Sequence, residues 1–165
     1  MIARSERAVV ALTDCVVFSN GFDVAITVLT RESMDPRMLG FGRPPQLGQP
    51  LPDDVLRIGI QYADGRKTTS LHAHAAGRRE YMLALAEGRT PPEPEGPLMQ
   101  PRGGGGGGTR WDHRFWVWPL PPPGPVKLAC QWPSEGIALT FHELSGDQIR
   151  SAAAGVSDLW DDPPS

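Results

Sequence analysis

Apolar and polar residues alternate in the first part of the chain, which predicts β-strands. The clearest case is FDVAITVL, residues 22–29, in which every second residue is a large apolar one. It follows SNG, where Asn20 and Gly21 can adopt the positive φ angles of a tight hairpin turn. The preceding RAVVALTDCVVF is rich in β-branched residues on both faces, which is typical of a central or bulged strand. The chain therefore opens with a predicted β-hairpin.

Two further groups of strands are predicted downstream. VLRIGIQYADGRKTTSL, residues 55–71, repeats the hairpin pattern around an Asp64-Gly65 turn. HRFWVWPL, VKLACQW and IALTFHEL are separated by PPPGP and PSEG, which predicts a three-stranded meander with the proline run as a hairpin connection. In the last two strands the predicted apolar faces are Val126, Leu128, Cys130 and Trp132, and Ile137, Leu139 and Phe141.

Helical spacing is found at the end of the chain. SGDQIRSAAAGVSDLW, residues 145–160, predicts a helix with Ser145 or Asp147 as its N-cap. We expect Val156 and Trp160 of this helix to pack against Trp116 or Trp118. The segment 78–87, RREYMLALAE, fits a short helix and a strand equally well.

Many short strands without alternating helices predict a mainly β fold. We expect a single domain over residues 1–165, an antiparallel β-sandwich of immunoglobulin-like architecture with a C-terminal α-helix and long Pro/Gly-rich loops. The Cys-Trp-Cys signature of true immunoglobulin domains is absent, because Trp132 follows Cys130.

The chain has 19 glycines and 18 prolines among 165 residues, and six of the glycines are consecutive. The segment 90–110 that contains Gly103–Gly108 is predicted to be a flexible loop. A phosphate-binding loop would need a Lys-Ser or Lys-Thr pair and a following helix, and neither follows the run. We therefore expect these glycines to act as a spacer that tolerates shortening and, except where a residue needs a positive φ, replacement by alanine.

A net charge of −3 gives the protein no basic field, so neither nucleic acid nor an anionic membrane is an expected partner. The apolar run near the N-terminus is interrupted by Asp14 and lacks a cleavage site, which predicts a soluble cytoplasmic protein. Cys15 and Cys130 are then expected to be separate, reduced thiols.

Few residues indicate chemistry. His72 and His74 would share one face of a strand and are candidate metal ligands, but the sequence supplies no third ligand. No nucleophile-elbow or paired-carboxylate pattern is present, so no catalytic residue and no cofactor are predicted. The stretch FWVW, residues 115–118, is apolar on both faces, and Trp111, Trp116 and Trp118 are the candidate binding residues.

The combination of FSNGF, YADGR, the glycine run, WVWPLPPPGP and AAAGVSDLW resembles small β-rich proteins of high-GC actinobacteria that carry no known activity. The resemblance covers most of the chain. It implies a cytoplasmic bacterial protein with a shared fold and implies no mechanism.

These observations favour a non-enzymatic module that binds another protein or a second copy of itself. The alternative is a binder of a small ligand or carbohydrate that uses the tryptophans. A metal-dependent hydrolase using His72 and His74 has the least support.

Overall fold

In a computed structural model, which describes residues 1–35, 51–71, 83–84, 86–90 and 96–157, the chain is mainly β. The strands are β1 (Ala3–Arg4), β2 (Ala8–Val17), β3 (Phe22–Thr30), β4 (Arg57–Gln61), β5 (Lys67–Thr69), β6 (Leu98–Gly107), β7 (Arg110–Trp118), β8 (Pro125–Trp132) and β9 (Ile137–Ser145). A 3₁₀ turn, Pro133–Glu135, lies between β8 and β9, and the C-terminal helix is Gly146–Ala154.

The strands form two antiparallel sheets. The first has the order β1-β2-β3-β7-β6 and the second the order β5-β4-β8-β9. Their inward-facing apolar residues belong to one buried cluster, which includes Phe22 and Phe115 from the first sheet and Ile58 and Trp132 from the second. The mainly β class with a C-terminal helix is therefore confirmed.

Both predicted hairpins are present. Strands β2 and β3 pair over Ala8–Thr30, with the expected bulge between Leu12 and Asp14, and β4 pairs with β5 around Gly65, whose φ is +88°. The first turn is built differently from the prediction, because neither Asn20 nor Gly21 has a positive φ. Gly21 is needed there because the Trp116 ring would lie 2.5 Å from a Cβ at that position.

The predicted meander is wrong in its first strand. Strand β7 pairs with β3 and β6 in the first sheet, whereas β8 pairs with β4 and β9 in the second. Strand β7 is thus an interior strand of the first sheet. The proline-rich segment 119–124 is therefore a crossover between sheets and not a hairpin connection.

The predicted apolar face of β9 is also wrong beyond its first residue. Ile137 is buried opposite Trp132, but Leu139 is 57% and Phe141 50% exposed. The register between β8 and β9 shifts between Cys130 and Trp132. Because an extra residue in one strand reverses the alternation that follows, the bulge turns the next apolar residues outward.

The C-terminal helix begins as predicted, with the Ser145 hydroxyl accepting a hydrogen bond from the Gln148 amide at 3.2 Å. Ile149 is its buried apolar side chain, and the helix packs near β2 and β8. Val156 lies beyond the end of the helix and is 40% exposed; its contact with Trp116 or Trp118 stays a prediction. Trp160 lies outside the described residues.

Three smaller predictions concern the segment 78–87, the two cysteines and the connection 33–54. In the ambiguous segment 78–87, the described residues Leu83, Ala84 and Ala86 are helical. Cys15 and Cys130 form no disulfide, as expected, although Cys15 is only half-buried. Most of the long connection 33–54 lies outside the described residues.

Candidate functional site

The glycine run lies in the edge strand of the first sheet. Strand β6 pairs with β7 along its whole length, and no strand of the described chain pairs with its other side. All residues from Gln100 to Gly107 are exposed. This differs from the loop expected over 90–110, because pairing with β7 supplies the order that the glycines cannot supply themselves.

The glycines of β6 fall into two groups. A Cβ on Gly104 would lie 2.5 Å from His113 Nδ1 and 2.6 Å from the Asp112 carbonyl oxygen, and a Cβ on Gly106 would lie 2.2 Å from the Arg110 carbonyl oxygen. A Cβ on Gly105 would meet open space, as it would on Gly103 and Gly107. The expected tolerance to alanine is therefore incorrect for Gly104 and Gly106, where β7 approaches too closely.

Gly108 ends the strand. It has a φ of +60° and, with Thr109, forms the two-residue turn that joins Gly107 to Arg110. Glycine adopts this left-handed conformation without the steric cost that other residues pay.

We call the segment Gly103–Gly107 the glycine edge. In an antiparallel edge strand, about half of the backbone N–H and C=O groups point away from the sheet. Natural edges are usually protected by proline, charged side chains or bulges. In β6 all three occur just before the glycine edge, at Pro101, Arg102 and the bulge between Pro101 and Gly103, and none occurs within it. The glycine edge presents an exposed backbone that carries no side chains of its own.

The candidate tryptophans do not form one surface. On β7, Trp111 pairs with Val28 and packs against the core, on the same face as His113, Phe115 and Val117. Trp116 and Trp118 have the opposite parity and face away from the core. The alternation of the strand therefore places two of the three candidate tryptophans on the outer face and one on the inner face.

Trp116 is held in place from several directions. Its ring lies against Gly21, the Phe18 ring meets it edge-on with 5.4 Å between centroids, and the Arg102 guanidinium lies 4.8 Å from its centroid. A sugar stacking on this ring would have to displace Arg102. The arrangement therefore gives the carbohydrate-binding alternative little support.

A buried carboxylate lies beside this aromatic group. The Asp23 side chain is only 6% exposed, and its Oδ2 lies 3.9 Å from Arg102 and 4.0 Å from Arg114. Its Oδ1 is buried and has no hydrogen-bond partner among the described residues. Arg114 also donates to Asp14 at 3.1 Å. The guanidinium groups of Arg102 and Arg114 therefore both lie near the buried Asp23 carboxylate, beside the start of the glycine edge.

Asp112 and His113 are neighbours in sequence but face opposite sides of β7. Asp112 lies on the outer face. A hydrogen bond from the Arg110 guanidinium, and to a smaller extent one from the Thr27 hydroxyl, lowers its pKa. Burial lowers the pKa of His113 to about 4, against an opposing effect of Asp112, so its ring is neutral at pH 7. The two groups cannot act on one substrate.

A cavity of about 210 Å³ lies where the C-terminal helix meets β2 and β9. Cys15, Val17, Leu144, Ser145, Gln148 and Ile149 line it. Burial, and secondly the charge of Asp14, raises the pKa of the Cys15 thiol. A protonated thiol is a poor nucleophile, so this cavity is not equipped for thiol catalysis.

The candidate metal ligands His72 and His74 lie outside the described residues. In the part of the chain that is described, no three His, Cys, Asp or Glu side chains are grouped in a way that could hold a metal ion. Among the same residues, no helix has the length and hydrophobicity needed to cross a bilayer.

Comparison of the chain with protein-family models, with curated proteins and with solved structures finds no match.

Sequence reasoning missed the glycine edge, Gly21 and Arg102. Glycine has no side chain, so the run carries no alternation from which a strand could be predicted.

Proposed function

We propose that this protein is a cytoplasmic, non-enzymatic interaction module with an immunoglobulin-like β-sandwich fold, and that its partner adds an extended strand to the glycine edge. The observation that carries the proposal is that Gly103–Gly107 is an ordered edge strand with an exposed backbone and no side chains. In strand addition, main-chain hydrogen bonds supply affinity. Pockets that receive every second side chain of the added strand supply specificity.

The geometry suits this mode of binding in two respects. The glycine edge is already extended and paired with β7, so binding does not have to order it first. An incoming strand lies about 4.8 Å from the edge, and the absent side chains leave space for bulky residues of the partner above and below it. The partner would extend the first sheet by one strand next to β6.

The proposal can be tested with a display library of random ten-residue peptides. Peptides are selected on the full-length protein and re-screened on Gly105→Lys and Gly96→Lys. A Cβ meets open space at both positions, so neither change should disturb the fold. Lysine in the glycine edge is expected to oppose strand addition, since charged side chains protect edges in natural sheets.

We expect enriched peptides to lose at least about tenfold in affinity on Gly105→Lys and to keep it on Gly96→Lys, because a blocked edge forfeits several main-chain hydrogen bonds. Peptides that bind all three proteins equally, or a library that yields no binder, would contradict strand addition. Thermal unfolding of the variants checks that loss of binding is not loss of fold.

A further inference from the structure

Arg102, which precedes the glycine edge, does not protect its open side. The guanidinium carbon lies 4.8 Å from the Trp116 ring centroid, and one of its nitrogens lies 3.9 Å from Asp23 Oδ2 on β3. Because β7 and β3 lie on the paired side of β6, the Arg102 side chain is directed away from the open side. The kind of charge that protects natural edges is here turned towards the middle of the sheet.

The glycine edge is ordered before any partner binds. Its residues are extended, exposed and paired with β7. A disordered peptide that adds to such an edge loses conformational entropy as it becomes ordered, which lowers its affinity. A second copy of the chain brings a strand that is already ordered by its own β7. Neither side of such a pair has to be ordered first.

The alternation of backbone groups determines how two copies can pair. In an antiparallel strand, every second residue directs its N–H and C=O towards the open side. Two identical antiparallel strands therefore form hydrogen bonds only when residues of the same parity, odd or even, lie opposite each other. Full overlap of Gly103–Gly107 meets this condition, because it places Gly105 opposite Gly105 of the second copy and Gly103 opposite Gly107. The next register of matching parity pairs three residues of each copy instead of five.

The charged residues nearest the glycine edge do not oppose this pairing. On β7, Arg110, Asp112 and Arg114 lie beside the glycines. In a pair of copies, two glycine strands separate these residues from their counterparts. Neighbouring strands lie about 4.8 Å apart, so the two β7 strands would be about 14 Å apart. This distance exceeds the Debye length of about 8 Å at physiological ionic strength, so repulsion between the like charges is screened.

We infer that the strand added at the glycine edge is β6 of a second copy, so that two copies form a twofold-symmetric dimer with one continuous sheet. This inference rests on the proposed function, because it names the added strand. An antiparallel pair of identical edges is isologous, so it closes after two copies and does not continue into a fibre. The dimer is weak, with a dissociation constant between about 10 µM and 1 mM, because five paired residues bury far less than the roughly 1,600 Å² of a standard interface.

Disulfide cross-linking tests the register. Gly105→Cys is compared with Gly107→Cys, because a Cβ meets open space at both positions. In the inferred dimer, the Cα atoms of the two residues 105 lie about 5 Å apart, a distance that a disulfide spans. The Cα atoms of the two residues 107 lie more than about 13 Å apart, which is too far. The parent, which contains Cys15 and Cys130, measures background oxidation.

Under mild oxidation, we expect Gly105→Cys to form a disulfide-linked dimer at least about tenfold faster than Gly107→Cys does. In sedimentation equilibrium, the parent should dimerise reversibly. Gly105→Lys should weaken the dimer at least about tenfold, because two lysines would face each other across the symmetry axis. Gly96→Lys, where a Cβ also meets open space, is the matched control and should dimerise as the parent does.

Four results would overturn the inference. If the parent stays monomeric up to about 1 mM and both cysteine variants oxidise at the same rate, β6 does not pair with itself, while peptides that require Gly105 still support strand addition. If the parent dimerises and Gly105→Lys leaves the dimer unchanged, another surface forms it. If an excess of a peptide that requires Gly105 does not dissociate the dimer, the peptide and the second copy use different surfaces. If no peptide binds and no dimer forms, both proposals fail. Melting temperatures within a few degrees of the parent show that the variants are folded.

Discussion

Strands β6 and β9 each end a sheet, yet they are stabilised by different means. Strand β6 contributes almost no side chains after Arg102 and is positioned by the backbone and side chains of β7. Strand β9 buries Ile137 in the core and continues directly into the C-terminal helix through Ser145. What β9 exposes is apolar side chains, whereas β6 exposes backbone. An edge strand can thus be accessible through its main chain or through its side chains, and the two kinds call for different partners.

The largest expected effect concerns the anchoring of β9. Ile137→Ala should lower the free energy of unfolding by about 3 kcal/mol, since it truncates a fully buried side chain. Leu139→Ala on the same strand should change it by less than about 0.5 kcal/mol, because that side chain is exposed. Urea unfolding followed by tryptophan fluorescence measures both. Equal losses for the two variants would mean that the bulge does not reverse the faces of β9.

The second effect concerns the two groups of glycines in β6. Gly106→Ala should cost about 2 kcal/mol, because its Cβ would overlap the Arg110 carbonyl. Gly105→Ala should be neutral within about 0.5 kcal/mol, because it meets open space. The melting temperatures of Gly105→Ala and Gly106→Ala distinguish a paired strand from a flexible loop. A loop would tolerate both substitutions equally.

The third effect is a pH dependence centred on the pairing of β6 with β7. His113, which lies against Gly104, has a pKa of about 4 when folded and an ordinary value of 6.5 when unfolded. The unfolded chain therefore binds a proton first as the pH falls, and stability is lost between pH 6.5 and 4. The full shift corresponds to about 3 kcal/mol, and partial solvent access reduces it to about 1 to 2 kcal/mol.

Hydrogen exchange at pH 7 and pH 5, corrected for intrinsic rates, would locate this loss. We expect protection to fall in β6 and β7 before it falls in β9. His113→Gln should flatten the difference between the two pH values. A uniform loss of protection over both sheets would assign the pH dependence to another group.

The smallest effect concerns the end of β9. Ser145→Ala removes the hydroxyl that caps the C-terminal helix and should cost about 1 kcal/mol or slightly less. Ser145→Asp should retain most of the stability, since Asp is an equally good cap. If alanine were as stable as serine, the junction between β9 and the helix would depend on Ile149 alone.

The sequence was sufficient for features that are encoded locally. The β2–β3 and β4–β5 hairpins and the Ser145 cap depend on residues within a few positions of one another, and all three were predicted. The sheet to which β7 belongs depends on β3, far away in the chain, and no pattern within β7 itself distinguishes the two sheets.

The candidate site was harder to predict for three physical reasons. The bulge opposite Cys130 reversed the faces of β9, and bulges leave little trace in hydrophobic alternation. The glycine edge has no side chains from which to predict a strand. The contact of Arg102 with Trp116 depends on the pairing of β6 with β7, which no local pattern indicates. The tryptophans were correctly selected as notable, but the alternation of β7 divides them between two faces.

The chain enters each sheet twice, and this alternation has a consequence for the order of folding. Strands β1–β3 and β6–β7 build the first sheet, while β4–β5 and β8–β9 build the second. The contacts that join these halves are distant in sequence: Thr27 and Asp112 are 85 residues apart, and Arg57 and Gln131 are 74 apart. Such closures are slow compared with the formation of a hairpin. During synthesis on a ribosome, the two early hairpins can form, but both sheets wait for their remaining strands until most of the chain has emerged.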